Sequence, residues 1–405
     1  MVDSSSSATV ELARRLVRVP SVTPVDDGCQ QILIDRLQRL GFTVHPLIFG
    51  QVHNFYARLG EKGKNFCFAG HTDVTPSGEP GLWQGDPFGA EHREGMILGR
   101  GICDMKGALA AMVTAVERFL QEHPGVVERH SLSFLVTGDE EGQAIDGTAR
   151  VLEWMAARNE RLDYCLVGEP TSVHQLGDCL KNGRRGSVNG TIVVHGLQGH
   201  VAYPHLARNP IHQCLAVFDV LARHSFDAAV NPHFPPTSFQ FTRIQAGDGA
   251  TNVIPARLTA CFNIRFSTEH TPESLEARIR SLLEPLDRDP GRFELTLQVS
   301  GLPFLTRGGP LLDAIEEAIH ETLDRIPERS TGGGTSDARF ISRFCPQTVE
   351  FGLVGATMHK VDESTPAGDL ETLALVYQRI LEKMLLTPSE QGRRTSEEMG
   401  NCLVG

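Results

Sequence analysis

Strand-like and helix-like stretches alternate along this chain in two runs, and a segment with a different rhythm separates them. Leu12, Ala13, Leu16 and Val17 recur at helical spacing and stop before Pro20; Ile32, Leu33, Leu37 and Leu40 do the same up to Gly41. Residues 65–70 and 131–137 read as short strands, the second with Leu132, Phe134 and Val136 alternating. Between them 107–121 reads as an amphipathic helix closed by Pro124, and a helix over 146–158 and a strand over 162–167 continue the succession. Strand and helix alternating in this way predict an α/β layer with a mostly parallel sheet.

From Gly186 the order becomes strand 187–195, helix 210–224, strands 237–245 and 257–266, helix 272–286 and strand 293–300. That is the β-α-β-β-α-β order of a ferredoxin-like α+β unit. The α/β pattern then resumes with a helix over 311–324, a strand over 348–353 and a helix over 369–385. The expected organisation is a first catalytic segment 1–185, an inserted unit 186–300, a second catalytic segment 301–387 and a polar tail 388–405. A chain of 405 residues is long for one core, so two domains suit it.

Lys plus Arg number 38 against 50 Asp plus Glu, a net charge of -12, which argues against nucleic acid or an anionic membrane as partner and favours a small-molecule substrate. The nine cysteines are odd in number, scattered and never spaced Cys-x-x-Cys, as expected of a reducing compartment and not of a disulfide framework. The N-terminus has neither the basic nor the apolar region of a secretory signal. The longest apolar stretch, 108–116, is too short to span a bilayer, so a cytoplasmic protein is expected.

Metal-capable side chains gather where strands should end. His71 and Asp73 follow the strand over 65–70, where alternation points both the same way; if His71 holds a metal, Asp73 is placed to take its other ring N–H. Taken alone, His-x-Asp is also what a polar turn looks like. Asp104 lies between Gly99-Arg100-Gly101 and Lys106-Gly107 at a loop-to-helix junction, where a helix-capping aspartate would also be expected. Its two oxygens would equally suit a bridge between two cations. Asp139-Glu140-Glu141 is either a solvated acidic run or a pair of carboxylates beside cations, one ligating and one moving protons. Glu169 and His359 each follow an apolar strand, the position at which α/β folds place ligands. Five such stretches at strand ends or loop junctions point together to a binuclear, metal-dependent hydrolase.

The succession His71-Thr72-Asp73-Val74, Gly99-Arg100-Gly101 to Asp104-Met105-Lys106-Gly107, Asp139-Glu140-Glu141, Gly168-Glu169-Pro170 and Gly334-Thr335-Ser336-Asp337 resembles the metallopeptidase M20 family. Three further segments, 181–187, 198–205 and 359–363, resemble one branch of it, and the likeness runs from about Leu12 to about Leu385. The resemblance implies a zinc-hydrolase catalytic domain interrupted by a ferredoxin-like dimerisation domain, hence a homodimer. It implies two Zn2+ per subunit, with Co2+ acceptable in one site: His71 and Glu169 on one ion, Glu141 and His359 on the other, and Asp104 bridging. It further implies that Asp73 orients His71, that Glu140 is the general base, and that His200 of the inserted domain reaches the partner's active site. Arg184, Tyr203, Asn252, Arg265 and Thr335 match positions around the polar ends of the substrate. Cys103 stands where the family would place a small residue such as Ala, and Leu353 and Gly355-Ala356 also depart from its pattern.

The activity implied by that branch is hydrolysis of N-succinyl-LL-2,6-diaminopimelate to succinate and LL-2,6-diaminopimelate, within lysine biosynthesis. The rivals are another deacylase of the family, such as one acting on acetylornithine, and a non-catalytic binding protein of the same fold. Segments 181–187 and 198–205 oppose the first, and the intact ligand set with Glu140 opposes the second.

Overall fold

A computed structural model of the chain describes residues 7–286, 292–387 and 390–391; the expected polar tail lies almost entirely outside these. The chain divides into two compact units, one made of 1–182, 306–330 and 336–405, the other of 183–305 and 331–335.

The first unit is built on an eight-stranded sheet. Its order is Thr43–Phe49, Val52–Leu59, Ser131–Thr137, Asn65–His71, Tyr164–Val167, Thr348–Glu350, Cys179–Lys181 and Glu328–Ser330. The four strands from Ser131–Thr137 to Thr348–Glu350 run parallel, and the first two of them are buried at every residue. Burial on both faces explains their near-continuous apolar sequence. Outside them the edge hairpin Thr43–Phe49/Val52–Leu59 is antiparallel, an addition to the elements that periodicity picks out. Pro46 is accommodated there because an edge strand has one side free of ladder hydrogen bonds.

The helix Gly107–Glu122 is less amphipathic than its sequence suggests, since every residue from Gly107 to Val116 is buried. The helices Ala8–Val17 and Ala367–Leu385 pack against it, so its small residues meet neighbours on several sides. Among the described residues no helix is long and apolar enough to cross a membrane.

The second unit is a four-stranded antiparallel sheet in the order Ser238–Ala246, Arg257–Phe266, Gly186–His195 and Phe293–Gly301. The helices Pro210–Arg223 and Pro272–Leu283 supply the connections and share its core with Val188, Ile192, Phe239, Phe262 and Ile264. This is the chain order and strand order of a ferredoxin-like unit. It extends past both ends of 186–300, because Gly183–Arg184 pairs with Phe304–Leu305.

Candidate metal centre

Parallel strands deliver side chains to one rim of a sheet, the edge at which their carboxyl ends lie. His71 is the last residue of Asn65–His71, Glu140 and Glu141 follow Ser131–Thr137, and Glu169 follows Tyr164–Val167. His359 comes nine residues after Glu350 in the next parallel strand, and Asp104 lies in the turn ahead of Gly107–Glu122. The turn is held close over the sheet by Met105. A Cβ on Gly70 would stand 2.2 Å from the Met105 methyl and one on Gly168 would stand 2.8 Å from it, so glycine at both places lets the loop approach.

Asp104 is not a helix cap. The residue that precedes the helix is Lys106, no side chain caps its first turn, and Asp104 itself has φ -128° and ψ 91°. Its carboxylate faces inward instead, with Oδ1 3.3 Å from His71 Nε2 and Oδ2 3.2 Å from His359 Nε2. His71 Nε2 and Asp104 Oδ1 are both buried and neither makes a hydrogen bond of regular geometry. Ligand atoms about 2.0–2.1 Å from a tetrahedral cation lie about 3.3 Å from one another, longer than the usual hydrogen bond. The Asp104 separations are of the length that two donors sharing a cation would have on each side of the carboxylate.

The remaining groups close around this core. His359 Nε2 lies 2.7 Å from Glu141 Oε1, and His71 Nε2 lies 3.9 Å from Glu169 Oε1. Oxygens of Glu140 and Glu169 and a ring nitrogen of His71 also lie within 4.8 Å of one another. Five carboxylates, those of Asp73, Asp104, Glu140, Glu141 and Glu169, thus share a small volume with two imidazoles and Arg339, whose Nη1 is 3.8 Å from Glu140 Oε1. That excess of buried acid with nitrogen and oxygen donors suits divalent cations.

The protonation of these side chains bears the same mark. Burial opposes a charge on His71, yet contact with Asp104 and the charges of Asp73, Glu169 and Glu140 outweigh it and hold the ring well above its ordinary value. Hydrogen bonds to Asp104 and Glu141 push His359 up to about 10. Burial, reinforced by Glu169, raises Glu140 well above the carboxylate range. Burial pushes Asp73 up to about 6 despite the adjoining His71 and the amides of Glu141 and Glu140. For Asp104 the two histidines overcome burial and lower it. With His359 held at about 10 its ring carries a proton at neutral pH, which a cation on that nitrogen must displace, so cation affinity should rise with pH. Calorimetric Zn2+ titrations at pH 7 in buffers of different ionisation enthalpy should show net proton release; uptake without release would contradict this protonation.

Asp73 differs from expectation, and Asp139, given no role of its own by the sequence, acquires one. The carbonyl oxygen of Asp73, not its carboxylate, is the near partner of His71 Nδ1, at 2.9 Å, while Oδ1 lies 3.6 Å away. The Asp73 carboxylate accepts from the amides of Glu140 at 3.3 Å and Glu141 at 3.1 Å, fastening the acidic loop to the histidine strand. Asp139, the third acid of the run, is buried and accepts from the amides of Gln143, Ile145 and Asp146, so it shapes the loop and is no solvated charge.

Arg339 lies outside every motif read from the sequence, and Asp337, the last residue of Gly334-Thr335-Ser336-Asp337, is given no role there. Both are buried, and Thr148 Oγ1 donates to Asp337 at 2.7 Å. Their signal is a charged pair at the start of the four-residue helix Ala338–Ile341, Asp337 just before it and Arg339 within it, directly after Gly334-Thr335-Ser336.

The other residues singled out by sequence belong to the second unit. His200 is exposed and its Nδ1 accepts from the Ala202 amide at 3.1 Å. Arg184 is buried with Nη1 directed at the carbonyls of Gly332 and Gly334, at 3.4 and 3.5 Å. Arg265 donates to Asn263 Oδ1 at 3.0 Å, Tyr203 and Asn252 are exposed, and Thr335 is half-buried.

Residues 67–383 match the family model of peptidase family M20/M25/M40. The chain is 59% identical over 375 residues to a succinyl-diaminopimelate desuccinylase of Magnetococcus marinus, covering 93% of this chain and 98% of that one. It is 50% identical over 378 residues to a protein of the same name from Nitrosospira multiformis, with 93% and 98% covered. In fold it is similar to an M20 family metallo-carboxypeptidase from Sulfolobus solfataricus, with a TM-score of 0.75, 15% identity, and 94% of this chain and 100% of that one covered. A Bacillus subtilis protein described as a dinuclear metal binding peptidase of the M20 family gives a TM-score of 0.70 at 15% identity, with 93% and 97% covered.

Proposed function

The chain belongs to peptidase family M20/M25/M40, and on that premise we propose that it hydrolyses N-succinyl-LL-2,6-diaminopimelate to succinate and LL-2,6-diaminopimelate, a step of lysine biosynthesis. The observation that carries the chemistry is Asp104, whose two oxygens face two different histidines at 3.3 and 3.2 Å. The choice of acyl group rests on likeness to relatives that are 50–59% identical over almost their whole length.

His71 and Glu169 would hold one Zn2+ and Glu141 and His359 the other, with Asp104 between them and Co2+ acceptable in one site. Cations bound there supply Lewis acidity, which makes a water easier to deprotonate and an amide carbonyl more electrophilic. Glu140 takes the proton of the attacking water as its oxygen adds to the succinyl carbonyl carbon. The carbon–nitrogen bond then breaks, and Glu140 returns the proton to the departing amine. Arg339, 3.8 Å from Glu140, favours the carboxylate that must accept that proton. Asp73 acts through others: its carbonyl fixes the His71 tautomer and its carboxylate fixes the backbone of Glu140 and Glu141.

The second unit would form the interface of a homodimer and present His200 to the developing oxyanion. Arg184, Tyr203, Asn252, Arg265 and Thr335 would bind the charged and polar ends of the substrate. The test is an assay of Zn2+-loaded protein on N-succinyl-diaminopimelate and on N-acetylornithine. The succinyl amide should be hydrolysed faster. Preference for the acetyl amide would reassign the substrate, and turnover of neither by protein holding two cations would favour a binding protein.

A further inference from the structure

Two loops carry Asp104 and His359, and both leave one small sheet. Ser364–Pro366 pairs antiparallel with Met96–Leu98, and the Gly99 amide donates to the Glu363 carbonyl at 2.9 Å. From this common root the chain runs forward through Arg100 to Asp104 and backward through Glu363 to His359. His359 has φ +60° and Asp362 φ +58°, left-handed conformations that a residue with a Cβ adopts only when its surroundings impose them.

One buried ion pair ties these two loops together. Arg100 and Glu363 are 2% and 0% exposed, and Arg100 Nη1 donates to Glu363 Oε2 at 2.8 Å. Glu363 Oε1 accepts from the Cys103 amide at 3.0 Å, the Cys103 thiol at 3.2 Å and the Asp104 amide at 3.3 Å. Arg100 Nη2 turns toward the carbonyl of His359 at 3.5 Å, and its guanidinium lies over the Trp83 ring, 5.2 Å from the centroid. One carboxylate thus grips the backbone of one ligand while its partner cation reaches the backbone of the other.

We propose that Arg100 and Glu363 are positioning residues that set the spacing of Asp104 and His359, and so the geometry of the cation site which those two ligands share with Glu141. A pair serving only the core would be replaceable by apolar side chains of similar volume. Apolar side chains would not supply acceptors for the amides of Cys103 and Asp104 or a donor for the His359 carbonyl. The two cation sites depend on the pair unequally. The site of Glu141, His359 and Asp104 has two of its ligands on the tied loops, whereas that of His71, Glu169 and Asp104 has one. The inference rests on the two-cation reading proposed above.

The test titrates Co2+ into the full-length chain, freed of metal with a chelator, and follows the visible absorption of bound cobalt. Wild type should take up two ions; failure to do so would overturn the two-cation reading and this inference with it. In the double variant Arg100→Met/Glu363→Leu, which removes both charges together, one binding step should weaken about 10–100-fold with an altered cobalt spectrum, and the other step should weaken less. Glu363→Gln, which keeps an acceptor for the two amides, should fall between it and wild type. Circular dichroism and a cooperative melt report whether each variant is folded. Should the double variant not fold, Arg100→Lys retains the charge but not the fork that reaches both Glu363 and His359, and the same step should weaken. Folded variants that bind two Co2+ with wild-type affinities and spectrum would overturn the positioning role while leaving the two-cation reading intact.

Discussion

Glu140→Gln should retain both cations and lose turnover by about 10²–10⁴-fold or more, the usual cost of removing a general base. Glu140 differs from Asp104 and Glu141 in lacking a contact with His359 among those observed. Asp104 and Glu141 face His359 at 3.2 and 2.7 Å, whereas Glu140 lies 3.8 Å from Arg339 and close to Glu169 and His71. The amide isostere keeps the size of the side chain and the backbone bond to Asp73, so the acidic loop should hold its shape. What it removes is a basic oxygen. Metal counting on the purified variant beside an amide-hydrolysis assay separates the outcomes. Loss of one ion would make Glu140 a ligand, and near-full activity would move the proton-transfer role elsewhere.

The candidate ligand positions were legible because they are local. A polar or acidic residue directly after an apolar strand can be read from a few neighbouring residues, as at Asn65–His71, Ser131–Thr137 and Tyr164–Val167. The strand and helix order of both units is equally local, since periodicity carries it. What escaped depends on contacts between distant segments. Glu363 meets Cys103 across 260 residues and Arg339 meets Glu140 across 199, and no spacing rule relates such pairs. The Asp73 case is subtler. The sequence places its carboxylate beside His71, but the backbone turn brings the carbonyl nearer and frees the carboxylate for the amides of Glu140 and Glu141. The edge hairpin escaped because the strand Thr43–Phe49 buries a single residue, Leu47, and so shows no alternation.

His200→Ala should cost about 10²–10³-fold in kcat, the loss expected when one oxyanion donor is removed, and that loss should be repairable across subunits. His200 belongs to the second unit, whereas the candidate ligands and Glu140 belong to the first. Its Nδ1 accepts from the Ala202 amide at 3.1 Å, which assigns the proton of the neutral ring to Nε2. The exposed edge of the ring is therefore a donor, as an oxyanion requires. If that donor serves the partner's site, His200→Ala chains mixed with Glu140→Gln chains under subunit exchange will form heterodimers in which one site has both an intact Glu140 and an intact partner His200. Activity should then rise well above that of either parent, with exchange verified by mass spectrometry. If the donor serves its own chain, every site in the mixture lacks one of the two groups and no activity returns. Exchange without recovery would therefore place His200 in its own subunit's chemistry or outside the reaction, and wild-type activity in His200→Ala would remove it from the reaction altogether.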